Sequence, residues 1–469
     1  MYLTILLIYV AILLGVGYLT SRKGTSNEAF FSANHRSPWY IVAFGMIGAS
    51  ISGISVVSIP GMVVTSGWTY LQTCLGFFFG YIAVAYILLP LYYRLKLTSI
   101  YEYLNTRFGS SSYHTGSMFF VIAKMVSSAT KLYIAVLILQ HFIFDEWNVP
   151  FWLTIVICVT IIWLYTHRAG IKTIVWTDTL QTLFFIVAIC VMCYEAWKLN
   201  TQLPITKLLL FSDTTNTFIF DDLFSTQYFW KQFISGIFIV IVMTGLDQDM
   251  MQKNLTCRSL YESQKNMLSY GIAFLPINFI LLLLGSLIVI YTQHSGIALP
   301  DTPDKIMPFM VSEIMSPIVG ICFVLGIISA SFSSADSALT SITTTLSVDI
   351  FKWKDNTSHR QLLHIVVCGI FALLIAIFGL TQNRSIIDTI YTIVGYAYGP
   401  LLGLFTFGLF TRYQVHDRLV PFIAITSPIL CYIINTLTTY YFNYQWGYEL
   451  LLLNGIITFS GLFIIRNKN

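Results

Sequence analysis

The stretch ISASFSSADSALTSITTTLSVDI, residues 328–350, continues an apolar run that begins near Ile318. One face of this predicted helix carries hydroxyl groups at helical spacing, on Ser333, Ser337, Thr340, Ser341 and Thr344. Asp336 lies beside this hydroxyl ladder. A carboxylate and many hydroxyls inside a hydrophobic span are expensive in lipid. We therefore expect the ladder to have a polar partner, and a bound cation is a good candidate.

The composition of the whole chain indicates a membrane protein. Of its 469 residues, 56% are hydrophobic and 10% are charged, whereas about 25% would be charged in a soluble protein. Many apolar runs reach the ~20 residues that a helix needs to cross a bilayer. These runs are continuous and not alternating, which excludes a transmembrane β-barrel. We predict an all-α integral membrane protein.

Hydropathy divides the chain into about 13 predicted spans. Their approximate limits are 2–21, 39–63, 68–93, 115–144, 150–166, 172–196, 229–251, 266–293, 308–347, 362–380, 386–412, 418–438 and 446–466. A short external helix is predicted around residues 302–313, and the first span is predicted to be a retained helix and not a signal peptide.

Lysine and arginine residues predict the orientation in the membrane. One set of alternate loops contains eighteen of the 25, whereas the other contains four, namely Lys198, Lys207, Lys305 and Arg384. The remaining three, Lys124, Lys131 and Lys231, lie within or at the ends of spans. The positive-inside rule then places the N-terminus outside and the C-terminus inside. We expect a multi-pass protein of the plasma (inner) membrane. Its net charge of +4 reflects this topology and does not suggest nucleic-acid binding.

The order of the spans predicts an internal symmetry within one transmembrane domain. An extra helix and inner loop (1–38) precede two five-helix halves (39–200 and 229–412), and C-terminal helices follow (413–469). Five is odd, so the halves have opposite orientations. Inverted repeats of this kind are common in transporters, which bind substrate where the first helix of each half is broken.

Break signals occur in both of those helices. The first contains glycine, proline and serine residues together, at Gly45, Gly48, Ser50, Ser52, Gly53, Ser55, Ser58, Pro60 and Gly61. The second contains Gly236 and the run Thr244–Gln248. The alternative explanation is that small residues let neighbouring helices pack closely.

A break at 44–61 facing the hydroxyl ladder would suit sodium, which prefers oxygen ligands. Unwound backbone supplies carbonyl groups, and serine hydroxyls complete the shell. The alternative is that each hydroxyl bonds back to a carbonyl of its own helix.

Two further charged residues lie within predicted spans. Asp178 could flank a second cation with Asp336, or could cap its helix or pair with Lys172. Lys131 lies too deep to reach the interface, so it contacts either an anionic substrate group or a carboxylate.

Five segments carry a resemblance to a known family. They are Arg36–Tyr40, Leu97–Leu104, Trp176–Gln181, Gly245–Gln252 and Ser333–Asp349. Together and in this order, they resemble the sodium/solute symporter family, over nearly the whole chain. The resemblance implies a LeuT-type fold with a five-plus-five inverted repeat, one helix ahead of it and two behind. It also implies alternating access driven by a sodium gradient, and therefore a transporter and not an enzyme.

The resemblance also implies ion sites. The main sodium site would use the backbone carbonyls of Gly48, Ile51 and Ala330 with the hydroxyls of Ser333 and Ser334. A second sodium site, known in some members, would correspond to Asp178, Ser333, Asp336 and Ser337. The chain departs from the family here, because Asp336 stands where a serine is expected. This aspartate could strengthen cation binding, favour a proton or alter the coupling.

The implied substrate is a small polar solute that resembles those of bacterial sialic acid and monocarboxylate-type members. Ser127 stands where a sialic acid transporter has its carboxylate-binding arginine, and Lys131, one turn outward, is the nearest cationic substitute. Ser52 and Ser55 on the first broken helix are the other expected substrate contacts. A sugar or another solute is the alternative within the family, and a transporter-like sensor is the alternative from another class. We expect the transporter to function as a monomer.

Overall fold

The computed structural model describes residues 2–21, 26–168, 170–201, 217–353, 356–379, 386–444 and 446–467. Over these residues the chain folds into nineteen α-helices. In the first half they are α1 (Tyr2–Ser21), α2 (Asn27–Ser32), α3 (Trp39–Ser50), α4 (Gly53–Ser66), α5 (Tyr70–Ala83), α6 (Leu89–Leu95), α7 (Glu102–Arg107), α8 (Ser110–Leu139), α9 (Phe151–Thr166) and α10 (Ile171–Leu199).

In the second half the helices are α11 (Phe229–Val240), α12 (Gln248–Asn254), α13 (Leu260–Ser295), α14 (Pro303–Glu313), α15 (Pro317–Thr345), α16 (Thr357–Phe378), α17 (Ile386–Phe410), α18 (Val420–Phe442) and α19 (Leu450–Ile464). Short π-helical turns join α5 to α6 (Val84–Leu88) and extend α11 (Ile241–Gly245) and α15 (Leu346–Ile350).

Many of these helices have the length and hydropathy of membrane spans. Among the described residues, eight continuous helical segments are long and apolar enough to cross a bilayer, one of them formed by α5 and α6 together. Two further spans arise where a bent helix pair counts as one, while α9 and α19 are shorter apolar helices. The predicted all-α membrane fold is therefore confirmed, and the number 13 stays a prediction. Lys207 and Arg384, which entered the orientation argument, lie outside the described residues.

The first predicted break lies between α3 and α4, whose axes differ by 58°. Ile51 N donates to Ile47 O at 2.9 Å, and Ser55 N donates to Ser52 O at 2.9 Å. Among the described residues, these bonds leave the carbonyls of Gly48 and Ile51 outside the helical hydrogen-bond ladder. The chain is unwound only at Ile51 and Ser52, so Pro60 lies inside α4 and not at the break.

Gly45 and Gly48 serve close packing, which was the alternative explanation for them. A Cβ on Gly48 would lie 2.3 Å from Thr182 Oγ1, and one on Gly45 would lie 3.0 Å from Asp178 Cβ. Helix α3 therefore approaches α10 more closely than any larger residue allows. Both explanations apply, each to a different part of the segment. Gly45 and Gly48 allow close packing of α3, while the chain is unwound about one turn later.

The second break lies at Leu246–Asp247, where α11 and α12 differ in direction by 68°. Asp247 caps the new helix, since its carboxylate accepts hydrogen bonds from Asp249 N at 2.9 Å and Met250 N at 3.3 Å. An aspartate at this position satisfies the otherwise unpaired N–H groups of the first turn. Both predicted break regions therefore contain a real interruption.

The predicted external helix around 302–313 is present as α14, but the following span begins later than predicted. Helix α15 starts at Pro317 after Ser316, whereas the predicted span began at 308. Apolar residues continue through α14, so hydropathy alone merges the two helices. Proline at the first helical position favours a helix start here. Helix α15 then packs along α10, α8 and α3 in the middle of the molecule.

Candidate functional site

The hydroxyl-rich part of α15 is buried on all sides. Every residue from Gly326 to Thr345 is buried, although that stretch includes a carboxylate and many hydroxyls. Polar groups in such surroundings need partners, because burying them unpaired costs free energy. The neighbouring helices α9, α10, α12 and α16 supply partners for several of them.

The ladder divides into two parts. Towards the C-terminal end of α15, Thr344 Oγ1 donates to Thr340 O at 2.8 Å and Ser341 Oγ donates to Ala338 O at 3.0 Å. For these residues the alternative of bonding back to the same helix is correct. Ser333 differs, because its hydroxyl donates to Asp178 Oδ1 on α10 at 2.6 Å. At Ser333, the ladder is therefore directed at the neighbouring helix α10.

Asp336 has hydrogen-bond partners of its own. Tyr165 on α9 donates to Asp336 Oδ2 at 2.9 Å, and Ser337 donates to Oδ1 at 3.2 Å. The Asp336 side chain has no solvent exposure. The structure thus gathers the four residues of the implied second site around the contact between α10 and α15.

The unwound segment of the first broken helix faces the same part of α15. A Cβ on Gly53 would lie 2.5 Å from Ser331 Oγ and 2.8 Å from the carbonyl oxygen of Ile327. Gly48 N donates to Thr182 Oγ1 on α10 at 3.1 Å. The segment that contains Gly48 and Ile51 is therefore held between α10 and α15, which carries Ala330, Ser333 and Ser334. Free carbonyls and serine hydroxyls occur together here, as a sodium site requires.

A lysine that the sequence did not point to lies in this region. The predicted span 229–251 ends before Lys253 and so leaves it in an inner loop, but it lies on α12 and is 1% exposed. Its Nζ is 2.8 Å from Asp178 Oδ2 and 3.9 Å from Asp249 Oδ1. Asp178 therefore pairs with Lys253, and the suggested pairing with Lys172 is wrong. The loop assignment failed because α12 is short and charged, so hydropathy marks it as a loop.

A second buried ion-pair cluster lies at the second break. Lys124 on α8 places its Nζ 3.1 Å from Asp247 Oδ2 and 2.7 Å from Asp249 Oδ2. Tyr398 on α17 donates to Asp247 Oδ2 at 2.8 Å. Sequence reasoning identified Asp247 as part of a break signal but missed Asp249. The available signal was the surplus of charged residues, from Asp247 to Lys253, at the end of an apolar span.

The expected substrate residues are distributed over the first break, α4 and α8. Ser52 and Ser127 are buried and Ser55 is half-buried. Ser127 Oγ donates to the carbonyl of Lys124 at 3.3 Å, which is a bond within its own helix. Lys131 is half-buried, and none of the ion pairs among the described residues includes it. Of the two lysines on α8, Lys124 has carboxylate partners and Lys131 has no ion-pair partner among the described residues.

Two cavities of about 640 Å³ lie at opposite ends of the helices. One is lined by Val63–Gly67, Thr69, Ile219, Gln227 and residues of α13 and its following loop. The other is lined by residues of α2, α6 and α12, among them Phe31, Tyr92 and Gln252. Gln252 Nε2 donates to Phe31 O at 2.8 Å and Thr344 Oγ1 at 3.1 Å. The second cavity therefore reaches the segment that carries Lys253.

Most of the chain matches a known protein family. The model of the Sodium:solute symporter family matches residues 30–415. The Sodium/sialic acid symporter NanT of Aliivibrio fischeri is 27% identical over 474 aligned residues, which cover 96% of this chain and 91% of that protein. The Sodium/sialic acid symporter SiaT of Proteus mirabilis is 27% identical over 436 residues, which cover 86% of this chain and 83% of that protein.

A solved structure has a similar fold. It is the substrate-bound outward-open state of a Na⁺-coupled sialic acid symporter, which superposes with a TM-score of 0.82 at 22% identity. The superposition covers 100% of this chain and 99% of that one. The predicted LeuT-type fold is thereby confirmed.

Proposed function

Because the chain belongs to the sodium:solute symporter family, whose members are secondary transporters and not enzymes, we propose that it imports a small carboxylate-bearing solute together with sodium by alternating access. Sodium and a small-molecule substrate are its transported species. A sialic acid or a monocarboxylate is the proposed substrate. Symport requires that ion binding shifts the conformational equilibrium, and so sodium must bind the outward-open and inward-open states with different affinities.

The main sodium site is proposed at the first break. Its ligands are the backbone carbonyls of Gly48, Ile51 and Ala330 and the hydroxyls of Ser333 and Ser334. The freed carbonyls of Gly48 and Ile51 support this assignment, as does the close approach of Gly53 to α15. A site shared between two helices can couple sodium to their relative movement, because the ion binds well only when both helices are in place.

A second cation cluster is proposed at Asp178, Ser333, Asp336 and Ser337. The hydrogen bonds of Ser333 to Asp178 and of Ser337 to Asp336 support the grouping. Two buried carboxylates in one cluster need positive charge nearby, because an isolated buried charge is strongly disfavoured.

The available ammonium of Lys131 is the observation that carries the proposed substrate class. It lies on α8 without an ion-pair partner among the described residues, in contrast to Lys124. An ammonium group in low-dielectric surroundings binds a carboxylate strongly. Ser127, Ser52 and Ser55 would supply hydroxyl contacts to the rest of the solute. The printed substrate of the two symporters from Aliivibrio fischeri and Proteus mirabilis, sialic acid, is itself a carboxylate.

The multi-pass membrane protein is proposed to lie in the plasma (inner) membrane and to function as a monomer, with its N-terminus outside and its C-terminus inside. The excess of basic residues in one set of alternate loops supports this orientation. The same orientation places the cavity beside α2 and α12 on the inner side.

Uptake into proteoliposomes tests the proposed function. Radiolabelled sialic acid, a monocarboxylate, a hexose and an amino acid are offered with an inward sodium gradient or with potassium in place of sodium. We expect sodium-dependent, saturable accumulation of a carboxylate. Accumulation of the hexose alone would show that the substrate is not a carboxylate. The absence of any effect of sodium would contradict the coupling of transport to sodium.

A further inference from the structure

Lys253 occupies the position that a second cation would need. Its ammonium is 2.8 Å from Asp178 Oδ2, while the other oxygen of that carboxylate accepts the hydroxyl of Ser333 at 2.6 Å. The side chains of Lys253 and Asp178 are each 1% exposed. The positive charge that the buried carboxylate requires is therefore already present, and it is covalently attached to the chain.

Helix α12 holds this lysine firmly in place. Asp247 caps its first turn, and Gln252 donates to Phe31 O and Thr344 Oγ1. Asn266 on α13 donates to Asn254 Oδ1 at 2.7 Å. Residues on both sides of Lys253 are thus bonded to other helices, and the ammonium is directed at Asp178 by fixed backbone.

A sodium ion and an ammonium on the same carboxylate would repel each other. The repulsion is strong here because like charges at close range interact much more strongly inside a protein than in water. Asp336, the other carboxylate of the cluster, is bonded to Tyr165 and Ser337. The cluster that would hold a second sodium therefore contains a fixed cation in its place.

We propose that the ammonium of Lys253 permanently replaces the second sodium ion of the Asp178 cluster, so that this symporter couples to one sodium ion, bound at the main site. This inference rests on the proposed function and specifies its stoichiometry. Lys253 then acts as a positioning and specificity-determining residue. Its charge makes the net charge of the cluster independent of the external sodium concentration. Sodium binds only at the main site, formed by Gly48, Ile51, Ala330, Ser333 and Ser334.

Counting bound ²²Na⁺ on the purified full-length protein tests the proposal without knowledge of the substrate. We expect one ion in the wild type and two in Lys253→Met, which keeps an unbranched side chain one atom shorter and removes the charge. The Hill coefficient for stabilisation by sodium, measured at constant ionic strength, should rise from about one towards two. The double variant Asp178→Asn/Lys253→Met removes both charges and should bind one ion. Lys265→Met, which alters an exposed lysine on α13, is the matched control and should also bind one.

The outcomes separate the inference from the proposed function. Two ions in the wild type, or one in a folded Lys253→Met, would overturn the role of Lys253 and leave sodium symport intact. No bound ion in the wild type would overturn the proposed function itself. If Lys253→Met does not fold, Lys253→Gln, which also removes the charge, takes its place in the count, where two bound ions support the fixed cation and one contradicts it.

Discussion

Lys124 and Asp249 form a buried ion pair with 2.7 Å between Nζ and Oδ2, which joins the second broken helix to the continuous helix α8. The other oxygen of Asp249 lies 3.9 Å from the ammonium of Lys253, which itself pairs with Asp178 on α10. Asp249 therefore stands between Lys124 on α8 and Lys253, which lies one turn further along α12. A movement of α12 during alternating access must change the contact of Asp249 with Lys124 on α8 and that of Lys253 with Asp178 on α10, so α12 connects the sodium region to α8.

Asp249→Asn should destabilise the protein strongly. It leaves Lys124 with Asp247 alone and removes a negative charge from beside Lys253. Lys124 keeps Asp247 at 3.1 Å, so the loss should be about 1.5–3 kcal/mol, as for a hydrogen bond between charged groups, and not the larger cost of an uncompensated buried charge. Thermal unfolding in detergent measures the effect, with the exposed Asp221→Asn as control. Equal stability of the two variants would contradict a structural role for the pair.

The sequence predicted the continuous apolar features of this fold better than its charged ones. The hydroxyl helix, Asp178, Asp336 and both break regions could be inferred, because polar residues within long apolar runs are conspicuous. Lys253 and Asp249 could not, since they lie on a helix of seven residues whose charges resemble those of a loop. Their burial is a consequence of tertiary packing. The exact point of unwinding also depends on packing, because Gly45 and Gly48 contact α10 and Gly53 contacts α15.

Gly53→Ala should abolish transport, whereas Gly369→Ala should not. A Cβ at position 53 would lie 2.5 Å from Ser331 Oγ and 2.8 Å from Ile327 O, and the latter is backbone that cannot move aside. The break would therefore be pushed away from α15 and from the proposed sodium ligands. A Cβ on Gly369 of α16 meets nothing within 4 Å. Uptake in proteoliposomes, with the amount of folded protein measured by size-exclusion chromatography, distinguishes the two variants; activity in Gly53→Ala would contradict the close approach.

Ser334→Ala should weaken the response of uptake to sodium. Ser334 is buried on α15 next to Ser333, and it is proposed to give one oxygen ligand to the main site. Loss of one such interaction costs about 1–2 kcal/mol, which raises the sodium concentration for half-saturation roughly 5- to 30-fold. The maximal rate at saturating sodium should change little. Ser312→Ala, on the short helix α14, serves as control, and an unchanged half-saturation in Ser334→Ala would remove this residue from the site.

Lys131→Met should weaken binding of the carboxylate solute and not of sodium. A charge-assisted hydrogen bond contributes about 1.5–3 kcal/mol, so the KM for the solute should rise roughly 10- to 100-fold. The sodium concentration for half-stabilisation in a thermal-shift titration should remain as in the wild type. Lys265→Met controls for the loss of one positive charge. A KM unchanged by Lys131→Met would show that the carboxylate is held elsewhere on the chain.

Arg360→Met should leave the protein as stable as the wild type or make it more stable by about 1–2 kcal/mol. The Arg360 side chain is fully buried at the start of α16, its guanidinium lies 4.0 Å from the Phe30 ring, and no described residue accepts a hydrogen bond from it. Replacing a buried charge with an apolar side chain of similar volume is often stabilising.

Arg107→Met is the control, in which an arginine with hydrogen-bond partners is replaced. Arg107 donates to the carbonyls of Gly408, Thr411 and Tyr413 at 2.8–3.1 Å. That variant should lose about 1–3 kcal/mol, since hydrogen bonds from a charged group are stronger than neutral ones. Thermal unfolding of the two variants in the same detergent compares them directly, and a larger loss in Arg360→Met than in Arg107→Met would mean that the buried guanidinium has a ligand of its own.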